Sequence, residues 1–102
     1  MNRGEIWFAE VGRKRRPVLV LTRFEVIDAR ALVTVAEITS SIRHIAAEVD
    51  FDHEEAGLDR PSVINCDGLH TITKASLTTY AGFVSEDTME RVCAAVSYAL
   101  GC

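Results

Sequence analysis

The sequence predicts a mainly β fold finished by one C-terminal helix. Between residues 5 and 83 it holds short runs rich in β-branched and aromatic residues, separated by turn formers. Only the stretch 85–100 carries an apolar stripe at helical spacing. The chain has 102 residues, room for one compact domain over 1–102, and 48% of them are apolar, enough for a core. So short a domain buries a modest share of its surface, and a second copy would add to it.

Glu5–Val11 alternates as a strand, with Ile6 and Phe8 on one face and Trp7, Ala9 and Val11 on the other. Gly12 to Arg16 reads as a turn or loop. Pro17 to Thr22 follows with four successive apolar positions, the mark of a strand covered on both faces, and Pro17 suits its first residue. Ala31 to Thr39 is the third strand, with Val33, Val35, Glu37 and Thr39 sharing a face. In Ala46 to Phe51, Glu48 and Asp50 alternate with apolar neighbours, which predicts an edge strand. Residues 52–61 form a polar loop, Ser62 to Cys66 a fifth strand, Lys74 to Leu77 a single helical turn, and Thr79 to Phe83 a short last strand.

The helix is predicted over Ser85 to Leu100. Ser85 is its cap, and Glu86 and Asp87 suit the positive end of the helix dipole. Met89, Val92, Cys93, Val96, Ala99 and Leu100 make its apolar stripe, and Gly101 ends it. A small, strongly curved sheet packed on this helix accommodates the whole pattern, and an SH3-like β-barrel is the expected class.

Composition narrows the chemistry. The three cysteines, Cys66, Cys93 and Cys102, match no zinc spacing, and Cys93 is expected in the core. No nucleophile elbow, phosphate loop, dinucleotide fingerprint or His-Glu-x-x-His motif is present. Asp50, Asp52, His53, Glu54 and Glu55 read as a solvated rim rather than metal ligands, so no metal or cofactor is expected. The polar start lacks the apolar run of a signal peptide, and Val18 to Leu21 is too short to cross a membrane, so a cytoplasmic location is expected.

The net charge of −4 is unevenly spread: residues 1–43 carry +3 and residues 44–102 carry −7. Local potential governs phosphate docking, so an acidic chain can present a basic groove. Arg13, Lys14, Arg15 and Arg16 form a basic run, with Arg23 just past the following strand. A solvated turn and a phosphate-docking loop are both open readings of it. Arg16 precedes Pro17, which favours an extended backbone, and its planar fork matches phosphate oxygens. Thr39 closes the third strand, as either a backbone-bonded hydroxyl or a donor beside Arg16.

Several stretches are similar to the MazF/PemK toxin family: Arg3-Gly-Glu-Ile-Trp7, Arg16-Pro-Val-Leu-Val-Leu-Thr22, Val35-Ala-Glu-Ile-Thr-Ser40, Ser62-Val-Ile-Asn-Cys-Asp67 and His70-Thr-Ile-Thr-Lys-Ala-Ser-Leu77. Their order and spacing cover nearly the whole chain. The resemblance implies a toxin endoribonuclease that cuts single-stranded RNA at short motifs, works as a homodimer and is inhibited by a cognate antitoxin. It makes Arg16 and Thr39 the catalytic pair. Arg13, Lys14, Arg15, Arg23, Arg43, Asn65, Asp67 and His70 are the candidates for RNA contact. The loop after the first strand is shorter than in many relatives, and Asp67, Gly68 and His70 stand where Glu, Gln and Arg are common. His70 is also a candidate base. Without the resemblance, a non-catalytic SH3-like module binding nucleic acid or protein is the alternative.

Overall fold

The computed structural model describes residues 1–102, the side chain of Phe24 excepted. In chain order the elements are β1 (Glu5–Val11), β2 (Lys14–Val20), a short helix α1 (Phe24–Ile27), β3 (Leu32–Thr39), β4 (Glu48–Asp50), β5 (Val63–Thr73), a 3-10 turn (Lys74–Ser76), β6 (Leu77–Phe83) and α2 (Glu86–Leu100).

Six strands form one antiparallel sheet in the order β4-β5-β3-β2-β1-β6. The expected barrel is not formed, because the edge strands β4 and β6 do not pair and the sheet stays open. Closure needs two edges lying side by side with matching donors and acceptors. β4 offers only three residues. The loop that follows it turns against β6 instead. A Cβ on Gly82 would strike the Ala56 carbonyl, and one on Gly57 (φ +86°) would strike the Ala81 carbonyl. The two backbones touch where a barrel would place a hydrogen-bonded seam.

The strand alternation sorts apolar side chains into two cores, one on each face of the sheet. Ile6, Leu19, Ala36, Ile38, Ile64 and Cys66 pack beneath Val92 and Ala95 of α2. Ala9, Val11, Val18, Val20, Val33 and Val35 pack with Ile27 and Leu77 on the other face. The run Val18–Val20 serves both, as expected of a strand covered on two sides.

Local departures from expectation have local causes. The basic run is mostly strand: β2 begins at Lys14, leaving Gly12 and Arg13 as the hairpin turn between Val11 and its partner Lys14. α1 had no periodic signal, being four residues long. Tertiary contact holds it, with Ile27 buried in the second core and the Lys74 ammonium donating to the Ile27 carbonyl at 2.7 Å. β5 runs on to Thr73 instead of ending at Cys66. α2 is capped by Ser85, whose hydroxyl accepts from the Thr88 amide at 3.1 Å. Its buried face is Thr88, Val92 and Ala95, rotated from the expected stripe, so Cys93 is exposed rather than in the core.

Candidate active site

The β2–β3 ladder pairs Val18 with Glu37, Leu19 with Ala36 and Val20 with Val35. Continued by two residues, the same register puts Arg16 across from Thr39. Both side chains leave the sheet on the face that carries Val18, Val20 and Val35, because side chains two apart in a strand share a face. The strands part there, and a cleft of about 720 Å³ opens between the start of β2, the end of β3 and the 57–62 loop. Arg16 and Thr39 both line it.

The cleft wall is basic. Lys14, Arg15 and Arg60 join Arg16, and Asp59 is the acidic member of the lining. Arg60 pairs with Asp59 at 3.6 Å on the exposed loop. Arg15 lies 4.4 Å over the Phe8 ring and donates to the Thr79 hydroxyl at 3.2 Å. That stacking holds a long side chain flat beside the opening. Thr39 accepts from the Ser41 amide at 3.1 Å, which orients its oxygen and leaves its hydroxyl hydrogen available to a ligand.

Behind the cleft wall lies a group that the sequence reading left out of the site. Glu37 bridges two side chains, with Oε1 on the Arg16 guanidinium and Oε2 on the His70 imidazole at 2.9 Å. Arg16 is 29% exposed at its side chain, Glu37 18% and His70 36%. A register shift in the β3–β5 ladder makes the bridge. Ala36 pairs with Leu69, but Glu37 pairs with Asn65, so Cys66, Asp67 and Gly68 bulge out of β5 opposite Glu37. Bulges of this kind redirect side chains beside functional sites. A Cβ on Gly68 would lie 2.6 Å from Glu37 Oε2 and 3.0 Å from Asn65 Nδ2, so the bare glycine makes room for the carboxylate. The signal for Glu37 was present: a lone carboxylate inside a strand of Val, Ala and Ile must find partners or pay a desolvation cost.

The other candidates are spread over the surface. Arg13 sits exposed in the β1–β2 turn. Asn65 accepts from the Asp67 amide at 3.1 Å, at the foot of the bulge that bears the exposed Asp67. Arg43 is held by Glu48, through its Nε at 3.2 Å and its amide at 2.8 Å. Arg23 lines a different cleft, with Arg3, Arg30 and the exposed side of α2, and is therefore not assembled with Arg16. His70 does not line the Arg16–Thr39 cleft; its Nε2 is engaged by Glu37. Asp52 accepts from the Glu54 and Glu55 amides at 3.1 Å each and shapes its loop. Among the described residues no group of three or more His, Cys, Asp or Glu is placed to hold a metal.

The sequence model of the PemK-like, MazF-like toxins of type II toxin–antitoxin systems matches residues 2–100. The chain belongs to this family. It is similar to a probable endoribonuclease, MazF5, of Mycobacterium tuberculosis, 33% identical over 98% of this chain and 93% of that one. Its fold is similar to the solved structure of the M. tuberculosis toxin MazF-mt6, with a TM-score of 0.89, 35% identity, and 95% of this chain and 96% of that one covered. A mycobacterial endoribonuclease solved in complex with its cognate antitoxin also has a TM-score of 0.89, at 25% identity, over 99% of this chain and 95% of that one.

The chain is thus a MazF/PemK-type toxin, an endoribonuclease that acts on single-stranded RNA without a metal and is regulated by an antitoxin. The non-catalytic alternative falls with the family assignment. In this toxin the cleft is lined both by strand residues, Arg15, Arg16 and Thr39 among them, and by the 57–62 loop. Arg60 and Phe8 are cleft residues that the sequence reading missed. They lie 44 and 8 residues from Arg16 along the chain, and only folding brings them together.

Proposed function

We propose that Arg16 and Thr39 are the catalytic pair, gripping the scissile phosphodiester of single-stranded RNA while the ribose 2′-hydroxyl attacks it. What supports this reading is that Arg16 and Thr39 both line one cleft and that the continued β2–β3 register sets them across from each other, with the Thr39 oxygen oriented by the Ser41 amide.

RNA brings its own nucleophile. Holding the 2′-oxygen in line with the P–O5′ bond turns the attack into an intramolecular step. The O2′–P bond forms as the 2′-hydroxyl gives its proton to water, negative charge builds on the non-bridging oxygens, and the P–O5′ bond breaks as the leaving 5′-oxygen takes a proton from water. Donors aimed at those oxygens stabilise the transition state more than the ground state. Arg16 holds one oxygen and donates toward the leaving 5′-oxygen, and Thr39 holds the other. The products are a 2′,3′-cyclic phosphate and a 5′-hydroxyl. A guanidinium offers donors and no acceptor, so the role of Arg16 is that of cation and donor.

Lys14, Arg15 and Arg13 would guide the backbone into the cleft, and Asn65, Asp67, Arg43 and His70 would meet bases or phosphates along its flank. Unstacked bases expose edges that such side chains read. Arg23, on the separate cleft, would meet RNA beyond the scissile step. The working unit in this reading is a homodimer of single-domain chains in the cytoplasm. The exposure of Phe83, Tyr98 and Leu100 supports a self-association surface.

The test is end-mapping of a mixed-sequence RNA after incubation with the protein. Discrete fragments with 5′-hydroxyl ends are expected, unchanged by excess EDTA. Arg16→Ala and Thr39→Ala should abolish them in proteins that still melt cooperatively. Cutting by Arg16→Ala at the native rate would overturn the assignment, and a monomer in light scattering with full activity would overturn the dimer.

A further inference from the structure

A guanidinium that must meet a phosphate oxygen within tenths of an ångström cannot be left to sample its rotamers. Arg16 has about four rotatable bonds and stands in β2 opposite Ala9 of β1, beyond the point where the β2–β3 ladder stops at Val18. Its Nε is buried without a hydrogen-bond partner, so the hold on the guanidinium falls to its other nitrogens. Its Nη1 is gripped by Glu37. The grip is itself braced, because His70 Nε2 engages the second carboxylate oxygen at 2.9 Å, so Glu37 cannot swing away with Arg16. The bulge at Cys66–Gly68 and the missing side chain at Gly68 leave a slot for the carboxylate.

We infer that Glu37, braced by His70, is the positioning residue that sets Arg16 for catalysis. The inference rests on the reading of Arg16 as the phosphate-holding group. Glu37 and His70 do not line the cleft, whereas Arg16 does, so the pair acts through the arginine. A carboxylate accepts at about four lone-pair positions, and the two bonds made here spend one oxygen on each partner. Arg16 keeps Nη2 and the second Nη1 hydrogen for the substrate. A single bond to Arg16 would let the guanidinium pivot about it. The second bond, to His70, fixes the carboxylate plane and with it the direction in which the remaining donors point. The strand backbone contributes as well, since Glu37 lies two residues from Thr39 on the same face, so one rigid segment carries both the hydroxyl and the brace.

The experiment compares steady-state kcat and KM for Glu37→Ala, Glu37→Gln, His70→Ala and Arg16→Ala on one short RNA carrying a mapped cleavage site. Melting curves confirm the fold of each variant. Glu37→Ala should lower kcat on the order of 30-fold, the rate equivalent of the rotamer freedom of an unheld arginine, with KM changed less than about threefold. Glu37→Gln keeps an acceptor for Arg16 and a polar partner for His70, and should recover to within about fivefold of the native rate. His70→Ala should fall between the two. Glu37→Gln as inactive as Glu37→Ala, in a folded protein, would make Glu37 a proton acceptor and overturn the positioning role. Native kcat in Glu37→Ala would overturn it too. If Arg16→Ala is dead while Glu37→Ala is fully active, this inference alone fails; if Arg16→Ala is active, the assignment of the pair beneath it fails.

Discussion

Gly68→Ala is the most economical probe of how the cleft is supported from behind. Gly68 does not have a positive φ, so alanine fits its backbone conformation. The added methyl would lie 2.6 Å from Glu37 Oε2, where ordinary contact starts at 3.4 Å, so the carboxylate must retreat by about 0.8 Å. The Glu37–His70 bond at 2.9 Å then lengthens beyond hydrogen-bonding distance or turns out of line. Asn65 Nδ2, 3.0 Å from the same methyl position, limits retreat toward β5. A hydrogen bond to a charged group contributes about 1.5–3 kcal/mol. Water reaches the 18%-exposed Glu37 side chain, so the loss falls at or below the low end, about 1 kcal/mol. Alanine also restricts the unfolded chain, which returns about 0.4–1 kcal/mol. The two nearly cancel, and Tm should move by less than about 4 °C. Activity has no such compensation. Displacing the brace should lower kcat by about tenfold, the equivalent of roughly 1.4 kcal/mol in the barrier. A fluorogenic RNA carrying the mapped site, read beside differential scanning fluorimetry, measures both quantities. Native kcat in a Gly68→Ala protein of native Tm would refute the reasoning, because it would mean that the position of the carboxylate does not reach the chemistry.

Three further outcomes follow from the geometry. Gly82→Ala should lower stability by about 1–3 kcal/mol, read as a shifted urea midpoint, because the new methyl meets the Ala56 carbonyl and backbone cannot yield as a side-chain tip does. Burial first, and then the nearby Asp67 charge, push the Cys66 thiol up to about 11 from an ordinary 9.0; native protein at pH 8 should therefore take iodoacetamide at Cys93 and Cys102 only, with Cys66 reacting after unfolding, as mass spectrometry would show. Burial works to raise the Glu48 carboxyl, but the Arg43 and His44 amides and the Arg43 guanidinium outweigh it and hold the group below its usual 4.5, so its stabilisation is complete above about pH 4.5 and is lost as pH falls through the lower folded value. Glu48→Gln should accordingly flatten the acid limb of a Tm-versus-pH curve below pH 4.5 and leave its slope near neutrality unchanged.

What local chemistry dictates could be read directly. The bounds of β1 and the capped start of α2 follow from alternation and from Ser85, both of which act over a few residues. That Arg16 and Thr39 leave the sheet on one face follows from strand parity once β2 and β3 pair. The helix was legible as an element but not in its rotation. Its apolar stripe is wider than the face the sheet can cover, and contact with β4 and β5 selected Thr88, Val92 and Ala95 while leaving Cys93 outside.

Whether the sheet closes depends on its two edges, 27 residues apart at their nearest ends in the chain, and the loop after β4 decides that by lying against β6. α1 exists because a buried pocket receives Ile27 and an ammonium holds its carbonyl, neither of which leaves a periodic trace in four residues. The bridge from Arg16 through Glu37 to His70 joins three strands, and it needs a bulge that shifts register between Ala36 and Glu37. Residue type and spacing along one strand record which side chains share a face; they carry no record of where a neighbouring ladder slips. The sequence, through its likeness to a known family, therefore pointed to the arginine and the threonine, and packing between strands distant in the chain supplied the carboxylate that bonds the arginine.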